Sequence, residues 1–215
     1  MTRKGVWDLQ QVRDKYLDSG WVDDDHLFAW GKSNNGQLGQ NSRTYYSSPI
    51  QIPGTTWNST QPHNGSSQAN TMLVRTDGTL WVVGRSPSGQ LGLNDNVSRS
   101  SPTQLGTGTN WSTTKAYEKN ATNNAYAFAV KTDGTLWAWG QGYIGSLGQG
   151  DVPGEYGTQR SSPCQIGTNT NWAKAGISKA IKTDGTLWTW GFNSMGQLGL
   201  NDSGTPGPGT PDASQ

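Results

Sequence analysis

One nine-residue sequence motif, Thr-Asp-Gly-Thr-Leu-Trp-x-x-Gly, which we call the phrase, occurs three times in this chain. It constrains the fold more than any other feature. The copies begin at Thr76, Thr132 and Thr183, and a degenerate copy begins at Asp24. All four phrases end at a glycine, with spacings of 53, 56 and 51 residues between Gly31, Gly84, Gly140 and Gly191. A repeat period of this length is typical of structural units that stack on one another.

Each phrase predicts a β-hairpin that continues into an apolar strand. The Asp-Gly pair at its centre, such as Asp133-Gly134, predicts a two-residue type I′ turn, in which both residues take positive φ. The strand after the turn alternates tryptophan on one face with Leu136 and Ala138 on the other. Because both faces are apolar, we expect these strands to be covered on both sides, as in sheets packed around an axis.

A glycine-rich loop and two shorter elements follow each hairpin. The loop has the frame Gly-(Gln/Ser)-Leu-Gly, whose leucine we expect to point inward: Leu38, Leu91, Leu147 and Leu198. A third strand is predicted to open at a proline, which has no ladder donor to lose: Pro49, Pro102 and Pro163. A fourth strand is predicted around a tryptophan: Trp57, Trp111 and Trp172. The predicted strands then number two, four, four and three along the chain.

This order of elements resembles the regulator-of-chromosome-condensation repeat family. The aromatic-Trp-Gly strand, the Gly-x-Leu-Gly loop and the downstream proline carry the resemblance over about residues 26–200. Members of that family are β-propellers of four-stranded blades, so the resemblance implies an all-β, propeller-like array of about three to four blades. Some members are exchange factors for a nuclear GTPase. That activity is not carried over, because the loops here do not match it and a fold alone does not define a function.

The predicted strands are too few for an ordinary closed ring. Propellers usually have four to eight blades, and an unclosed array leaves sheet edges that can pair with another chain. We therefore expect an open or partial propeller that is closed by oligomerisation. In the alternative, residues 58–70 and 112–124 contain further strands that close a small ring.

Two segments differ in composition from the repeats. Residues 1–22 predict an attachment helix and leader, with apolar side chains at helical spacing: Trp7, Leu9, Val12, Tyr16 and Leu17. Residues 23–202 are the predicted propeller repeats, and residues 203–215 are a Pro/Gly-rich tail. The run Lys-Gly-Val-Trp-Asp-Leu-Gln-Gln-Val-Arg-Asp also resembles a leader found in fibre and structural proteins of tailed bacteriophages. Alternatively, the helix docks on the first blade as a lid.

The sequence contains no recognisable catalytic, metal-binding or cofactor-binding set. His26 and His63 are the only histidines, and the single cysteine, Cys164, occupies a strand position where a core or pairing role is predicted. The acidic run Asp23-Asp24-Asp25 could touch a cation, but a solvated turn is the favoured interpretation. We therefore expect no enzymatic activity, no cofactor and no bound metal.

A column of cations precedes the three Thr-Asp-Gly turns and is a candidate contact surface. A propeller would bring Arg75, Lys131 and Lys182 to one rim, where they could meet an anionic sugar or partner; in the alternative they keep a sheet edge soluble. The tryptophans of the second strands could stack on sugars, but a core role is predicted for them: Trp137, Trp139, Trp188 and Trp190.

Charge and composition exclude several classes of partner. The 215-residue chain has a formal net charge of +1, which offers nothing to nucleic acid or to a membrane surface. Its 11 tryptophans and 7 tyrosines supply the apolar area that its few aliphatic residues lack. No signal peptide and no membrane-spanning run is seen, so we expect the protein in a reducing cytoplasm or assembled there.

The main hypothesis is a non-enzymatic virion structural protein of a tailed phage, as a capsid, tail-fibre or decoration subunit. The partners expected are other virion proteins, further copies of the same chain and host-surface glycans, with no nucleic acid and no membrane insertion. The alternatives are a free intracellular propeller module that regulates a partner protein, or a carbohydrate-binding module.

Overall fold

A computed structural model describes residues 26–57, 70–112, 117–120, 125–150, 158–176 and 178–201. The predicted attachment helix, the phage-like leader and the Pro/Gly-rich tail lie outside these residues. The domain boundaries after residues 22 and 202 therefore stay predictions, and so does the attachment role of Trp7, Leu9, Val12, Tyr16 and Leu17.

Regular structure in the described residues is β-strand with one short 3-10 helix, and these residues contain no α-helix. The strands are β1 Phe28–Gly31, β2 Tyr46–Gln51, β3 Asn70–Val74, β4 Leu80–Gly84, β5 Arg99–Gln104, β6 Tyr117–Asn120, β7 Ala125–Val130, β8 Leu136–Gly142, β9 Thr158–Gln165, β10 Trp172–Gly176, β11 Lys179–Lys182 and β12 Leu187–Thr189. The 3-10 helix is Tyr143–Gly145, directly after β8. The prediction of an all-β chain is confirmed for this part of the molecule.

The strands form four antiparallel sheets in chain order. The first sheet is β1-β2, the second β3-β4-β5, the third β6-β7-β8-β9 and the fourth β10-β11-β12. Four-stranded blades were predicted, and among the described residues only the third sheet has four strands. In the second sheet the predicted strand at Trp57 is reduced to a single bridge with Arg75. In the third sheet, β6 lies inside the segment 112–124, where a further strand was one of the predicted alternatives.

The hairpin turns differ from the predicted type I′. In the third sheet, the Gly134 N–H donates to Lys131 O (3.0 Å) and the Lys131 N–H donates to Thr135 O (2.9 Å). Gly134 has a φ of 80°, whereas Asp133 is not among the residues with positive φ. The loop thus has three residues, Thr132 to Gly134, and only its glycine takes the left-handed conformation. The turns at Gly78 and Gly185 have the same two hydrogen bonds.

The sheets pack face to face, and alternate side chains of the third sheet serve two different cores. One core joins Ala127, Ala129 and Trp139 to apolar residues of the second sheet: Met72, Val74, Leu80 and Val82. The other joins the opposite face of the third sheet to the fourth: Phe128, Val130, Leu136 and Ala138 with Ala180 and Trp190. The predicted covering on both faces is confirmed for β4 and β8. It is wrong for the first and fourth sheets, where Trp30 of β1 is 62% exposed and Leu187 of β12 is 43% exposed.

The Gly-x-Leu-Gly loops make the junctions between sheets. Their leucines are buried, as predicted, with exposed fractions of 0–8%: Leu38, Leu91, Leu147 and Leu198. At two junctions a tryptophan of the next sheet donates its indole N–H to a loop carbonyl, Trp139 to Gln90 O (3.0 Å) and Trp190 to Ser146 O (2.9 Å). The phrase-ending glycines share a φ between 96° and 113°: Gly31, Gly84, Gly140 and Gly191.

Candidate functional site

The hairpin tips of the second, third and fourth sheets line one rim, which we call the turn rim: residues 75–79, 131–135 and 182–186. Backbone hydrogen bonds link each tip to the next. The Trp111 N–H donates to Gly78 O (3.1 Å), and the Thr132 N–H donates to Asn110 O (2.8 Å). The same pair of bonds connects the third tip to the fourth, through the segment Asn171-Trp172. The three tips therefore form one continuous surface.

Each tip contains a cation held between two tryptophan rings. Lys131 Nζ lies 5.0 Å from the ring centroid of Trp111 and 4.2 Å from that of Trp137. Arg75 Cζ lies 4.7 and 4.1 Å from the centroids of Trp57 and Trp81. Lys182 Nζ lies 5.2 and 3.7 Å from those of Trp172 and Trp188. These distances are within the range of cation–π attraction, which holds the cations in place.

We call each cation with its two tryptophan rings a clamp. The two rings of each clamp also contact each other. Their centroids lie 5.7–6.3 Å apart with the planes inclined by 72–89°: Trp57 with Trp81, Trp111 with Trp137, and Trp172 with Trp188. Such edge-to-face pairs are favoured by the ring quadrupoles. Charge, ring contact and backbone linkage together make the turn rim a rigid surface.

A short polar chain ties each aspartate to the clamp behind it. In the third sheet, Asp133 Oδ1 accepts hydrogen bonds from the Thr135 N–H (2.9 Å) and hydroxyl (2.7 Å). The Trp137 indole N–H donates to the same hydroxyl oxygen (2.8 Å). The other two tips repeat this chain, as Asp77–Thr79–Trp81 and Asp184–Thr186–Trp188.

These contacts keep the turn carboxylates ionised. Hydrogen bonds from the threonine hydroxyl, and next from the threonine backbone N–H, hold the pKa of each aspartate below its ordinary value of 3.8: Asp77, Asp133 and Asp184. The nearby cation lowers the same pKa values by a smaller amount. All three carboxylates lie on exposed residues, so they remain negatively charged throughout the neutral range.

Acidification is expected to weaken these turns. A folded-state pKa below the unfolded value contributes stability that is present above the unfolded pKa and is lost as the pH falls through the folded pKa. The free energy of unfolding, measured with urea, should therefore be steady from pH 7 to about pH 5 and then decline below pH 3.8. Asp133→Asn keeps the Oδ1 acceptor but cannot titrate, so its decline should be shallower. Identical curves for both proteins would contradict this assignment.

Removing a clamped charge is expected to destabilise the fold. Lys131→Met keeps the aliphatic stem but loses the cation between Trp111 and Trp137, which should lower the free energy of unfolding by about 1 kcal/mol. Lys131→Arg keeps a cation and should lower it by less. Urea unfolding followed by tryptophan fluorescence measures both. Equal stability of the methionine variant and the wild type would show that the clamp contributes nothing.

The structure brings the three predicted rim cations together on the turn rim, but it places their charged groups over aromatic rings. Lys182 is only 8% exposed, whereas Thr183 and Asp184 beside it are exposed. The sequence analysis missed the aromatic partners Trp57, Trp111 and Trp172. No fixed spacing could have found them, because these tryptophans lie 18, 20 and 10 residues before Arg75, Lys131 and Lys182.

The other sequence candidates add no second site in the described part of the chain. Cys164 is half-buried in β9, and its thiol donates to Ser162 O (3.5 Å). His63 and the acidic run Asp23-Asp24-Asp25 lie outside the described residues. Within them, no group of histidine, cysteine and acidic side chains could hold a metal ion. No helix among them is long and apolar enough to cross a membrane.

The second-strand tryptophans are largely core, as predicted. Trp139 and Trp190 are 0% and 6% exposed. Trp137 and Trp188 are half-buried, pack against the two cores and are covered by the clamped lysines. Their rings are therefore not open platforms for sugars.

Comparison with known proteins connects this architecture to one repeat. The family model described as the regulator of chromosome condensation (RCC1) repeat matches residues 24–61 and 184–209. The ultraviolet-B receptor UVR8 of Arabidopsis thaliana is 27% identical over 194 residues, covering 82% of this chain and 39% of that protein. Protein RCC2 of Mus musculus is 31% identical over 150 residues, covering 66% of this chain and 26% of that protein.

Three solved structures share the fold at low identity. Yeast RCC1 (Prp20) bound to Kap60 gives a TM-score of 0.62 at 20% identity, covering 87% of this chain and 44% of that one. Prp20p of Saccharomyces cerevisiae gives 0.60 at 18% identity, covering 85% and 44%. Human WBSCR16 gives 0.56 at 20% identity, covering 86% and 47%.

The four small antiparallel sheets and their loop junctions define an all-β protein whose sheets resemble the blades of a propeller. More narrowly, the chain is similar to RCC1-repeat proteins, and the RCC1 repeat model matches it at residues 24–61 and 184–209. It spans 26–39% of the two relatives above and under half of each solved chain.

Proposed function

We propose that this chain is a non-enzymatic protein-interaction module and that the turn rim is a surface on which it binds its partner. The observation that carries the proposal is the repetition of one rigid tip in three consecutive sheets, each with an exposed, ionised aspartate: Asp77, Asp133 and Asp184. A row of identical charges held at sheet-to-sheet spacing suits an extended partner that carries the opposite charge at intervals.

The chemistry of the rim favours a basic partner. The cations of the rim are engaged by tryptophan rings, while the carboxylates project from the turns into solvent. Two similar structures agree with protein binding in general. Prp20p is described as binding Gsp1p and histones, and yeast RCC1 as bound to Kap60. Histones are basic proteins, so they are a reasonable probe for this chain.

The test measures binding of purified histones to the full chain by calorimetry at physiological salt. Replacing all three aspartates with asparagine keeps the Oδ1 acceptors of the turns and removes their charge, so the fold should persist while affinity falls on the order of tenfold or more. Asp95→Asn is the control, because Asp95 pairs with Arg99 away from the turns. Equal affinity of the triple variant and the wild type, or no saturable binding at all, would overturn the role of the rim.

The virion hypothesis remains a prediction without support from the relatives named above, none of which is a phage protein. It depends mainly on the leader, which lies outside the described residues. Its expected partners, virion proteins and host glycans, and its expected place in the virion remain predictions in the same way.

A further inference from the structure

The junctions between sheets share one set of contacts, which we call the junction rule. In each, a loop of one sheet contacts side chains at set repeat positions of the next sheet. The loop Gly89–Asn94 lies against Trp139, whose Cδ1 and Nε1 atoms would be 2.9 Å from a Cβ at Gly92. The Asn94 N–H donates to Ser161 O (2.7 Å), and the Ser162 hydroxyl donates to Asn94 Oδ1 (3.0 Å). At this junction the tryptophan contacts a loop carbonyl and a loop glycine, and the Ser-Ser pair contacts the loop asparagine.

The other two junctions obey this rule in part. Between the third and fourth sheets, Gly148 lies against the ring of Trp190. Between the first and second sheets, a valine stands at the tryptophan position, and Gln37 O accepts from the Thr71 hydroxyl instead (3.2 Å). Asn41 contacts Ser100 and Ser101 there, as Asn94 contacts its own serine pair.

A fourth loop is already built for the same contact. Residues Gly196–Asn201 read Gly-Gln-Leu-Gly-Leu-Asn, the same six residues as Gly89–Asn94. Its internal bonds are also the same, since the Gly199 N–H donates to Gly196 O (3.1 Å), as the Gly92 N–H does to Gly89 O (2.9 Å). This loop therefore shares its sequence and its internal hydrogen bond with the loop Gly89–Asn94, which contacts Trp139.

In the described part of the chain, the side of this fourth loop that corresponds to the Trp139 contact is uncovered. Gln197 and Gly199 are exposed, whereas Gln37 and Gln90 are 4% and 2% exposed. A Cβ placed at Gly199 would meet nothing within 4 Å. The adjoining face of the fourth sheet is also open, because Ile181 and Leu187 are 38% and 43% exposed while their counterparts in the third sheet, Val130 and Leu136, are both 0% exposed.

The first sheet has the tryptophan and the serine pair that such a loop would contact, but no loop among the described residues contacts them. Trp30 stands in the repeat position of Trp139 and Trp190 but is 62% exposed, where they are 0% and 6% exposed. Ser47-Ser48 stands in the position of Ser161-Ser162, directly before the strand proline, and Ser47 is exposed. Loop and tryptophan are thus both present in one chain and do not meet within it.

We propose that Trp30 and Ser47-Ser48 of one copy dock on the loop Gly196–Asn201 of a second copy, reproducing between chains the junction that Trp139 makes within one chain. The contact is head to tail, so two copies can close a pair in which both ends of each chain are used. This contact does not rest on the partner-binding role proposed for the turn rim.

The first experiment measures native mass by light scattering across a dilution series of the full chain. The expected mass is about twice 23.1 kDa at high concentration, and Trp30→Ala should raise the dissociation constant on the order of tenfold or more, as for a buried aromatic anchor. Val97→Ala, at another exposed apolar residue (57%), is the matched control. A monomer at all concentrations, or a dimer indifferent to Trp30→Ala, would refute the proposal.

A second variant blocks the receiving loop. Gly199→Leu fills the place that the tryptophan ring would take and should likewise raise the dissociation constant, so that both variants are monomeric at a concentration at which the wild type is a dimer. Gly106→Leu is its control, because Gly106 has a similar φ (62° against 72°) and equally open surroundings. Circular dichroism checks that both variants keep their sheets. If Gly106→Leu dissociates the dimer as well, backbone strain explains the effect and the loop assignment is wrong.

Mixing the two monomeric variants distinguishes a head-to-tail contact from a symmetric one. Trp30→Ala keeps an intact loop and Gly199→Leu keeps an intact tryptophan, so a mixed pair contains one complete junction. Dimers should reappear in the mixture and be absent from either variant alone. A mixture that stays monomeric would mean that Trp30 faces something other than this loop.

Discussion

Gly134→Ala is expected to lower the free energy of unfolding by about 3 kcal/mol or more, which combines left-handed strain of about 1–2 kcal/mol with a steric clash of similar size. The φ of Gly134 is 80°, and a Cβ there would lie 1.9 Å from the backbone oxygen of Thr170. That oxygen belongs to the segment that leads into Trp172, so relief of the clash would move the next sheet. Urea unfolding at pH 7 measures the change.

The chain supplies a matched control at the same turn position of the fourth sheet. Gly185 has a φ of 88°, but a Cβ there would meet nothing within 4 Å. Gly185→Ala therefore carries the strain without the clash and should cost about 1–2 kcal/mol. If the two alanine variants were equally stable, the close approach of Thr170 to the turn would be wrong.

Trp139→Ala is expected to cost about 3–5 kcal/mol, the range for truncating a buried aromatic residue. Its side chain is 0% exposed, packs at the junction of the second and third sheets, and donates to Gln90 O (3.0 Å). Truncation leaves a cavity and a buried carbonyl with one donor fewer. Thermal and urea unfolding measure the loss. Tyr45→Ala, at a residue 58% exposed, should change stability by less than about 0.5 kcal/mol, and a comparable loss there would point to a nonspecific effect.

The strand order could be predicted from the sequence because each repeat contains local signals for its strands and turns. An Asp-Gly turn, an alternating apolar strand and a loop with fixed glycines leave few choices of pairing, and the described sheets follow them in chain order. The turn type was predicted wrongly for a physical reason. Asp133 accepts two hydrogen bonds from Thr135, and this favours a three-residue loop in which only Gly134 needs positive φ.

The candidate site was predicted in part. The cations could be assigned to one rim because they precede turns that repeat. Their tryptophan partners could not, because each ring pair joins a residue 10 to 20 positions before the cation to one six positions after it, as Trp111 and Trp137 do about Lys131. Only the three-dimensional pairing of the strands brings such positions together. An open array was predicted from strand counts and stays a prediction, whereas the exposure of Trp30 and Gly199 could be seen only in the structure.

The sheet junctions have a consequence for how such proteins change in size. Each junction uses one six-residue loop and a few side chains of the following sheet. The contacts of a repeat therefore depend only on its neighbours and not on the number of repeats in the chain. Adding or deleting one copy changes the folding free energy by one sheet and one junction and leaves the others as they were.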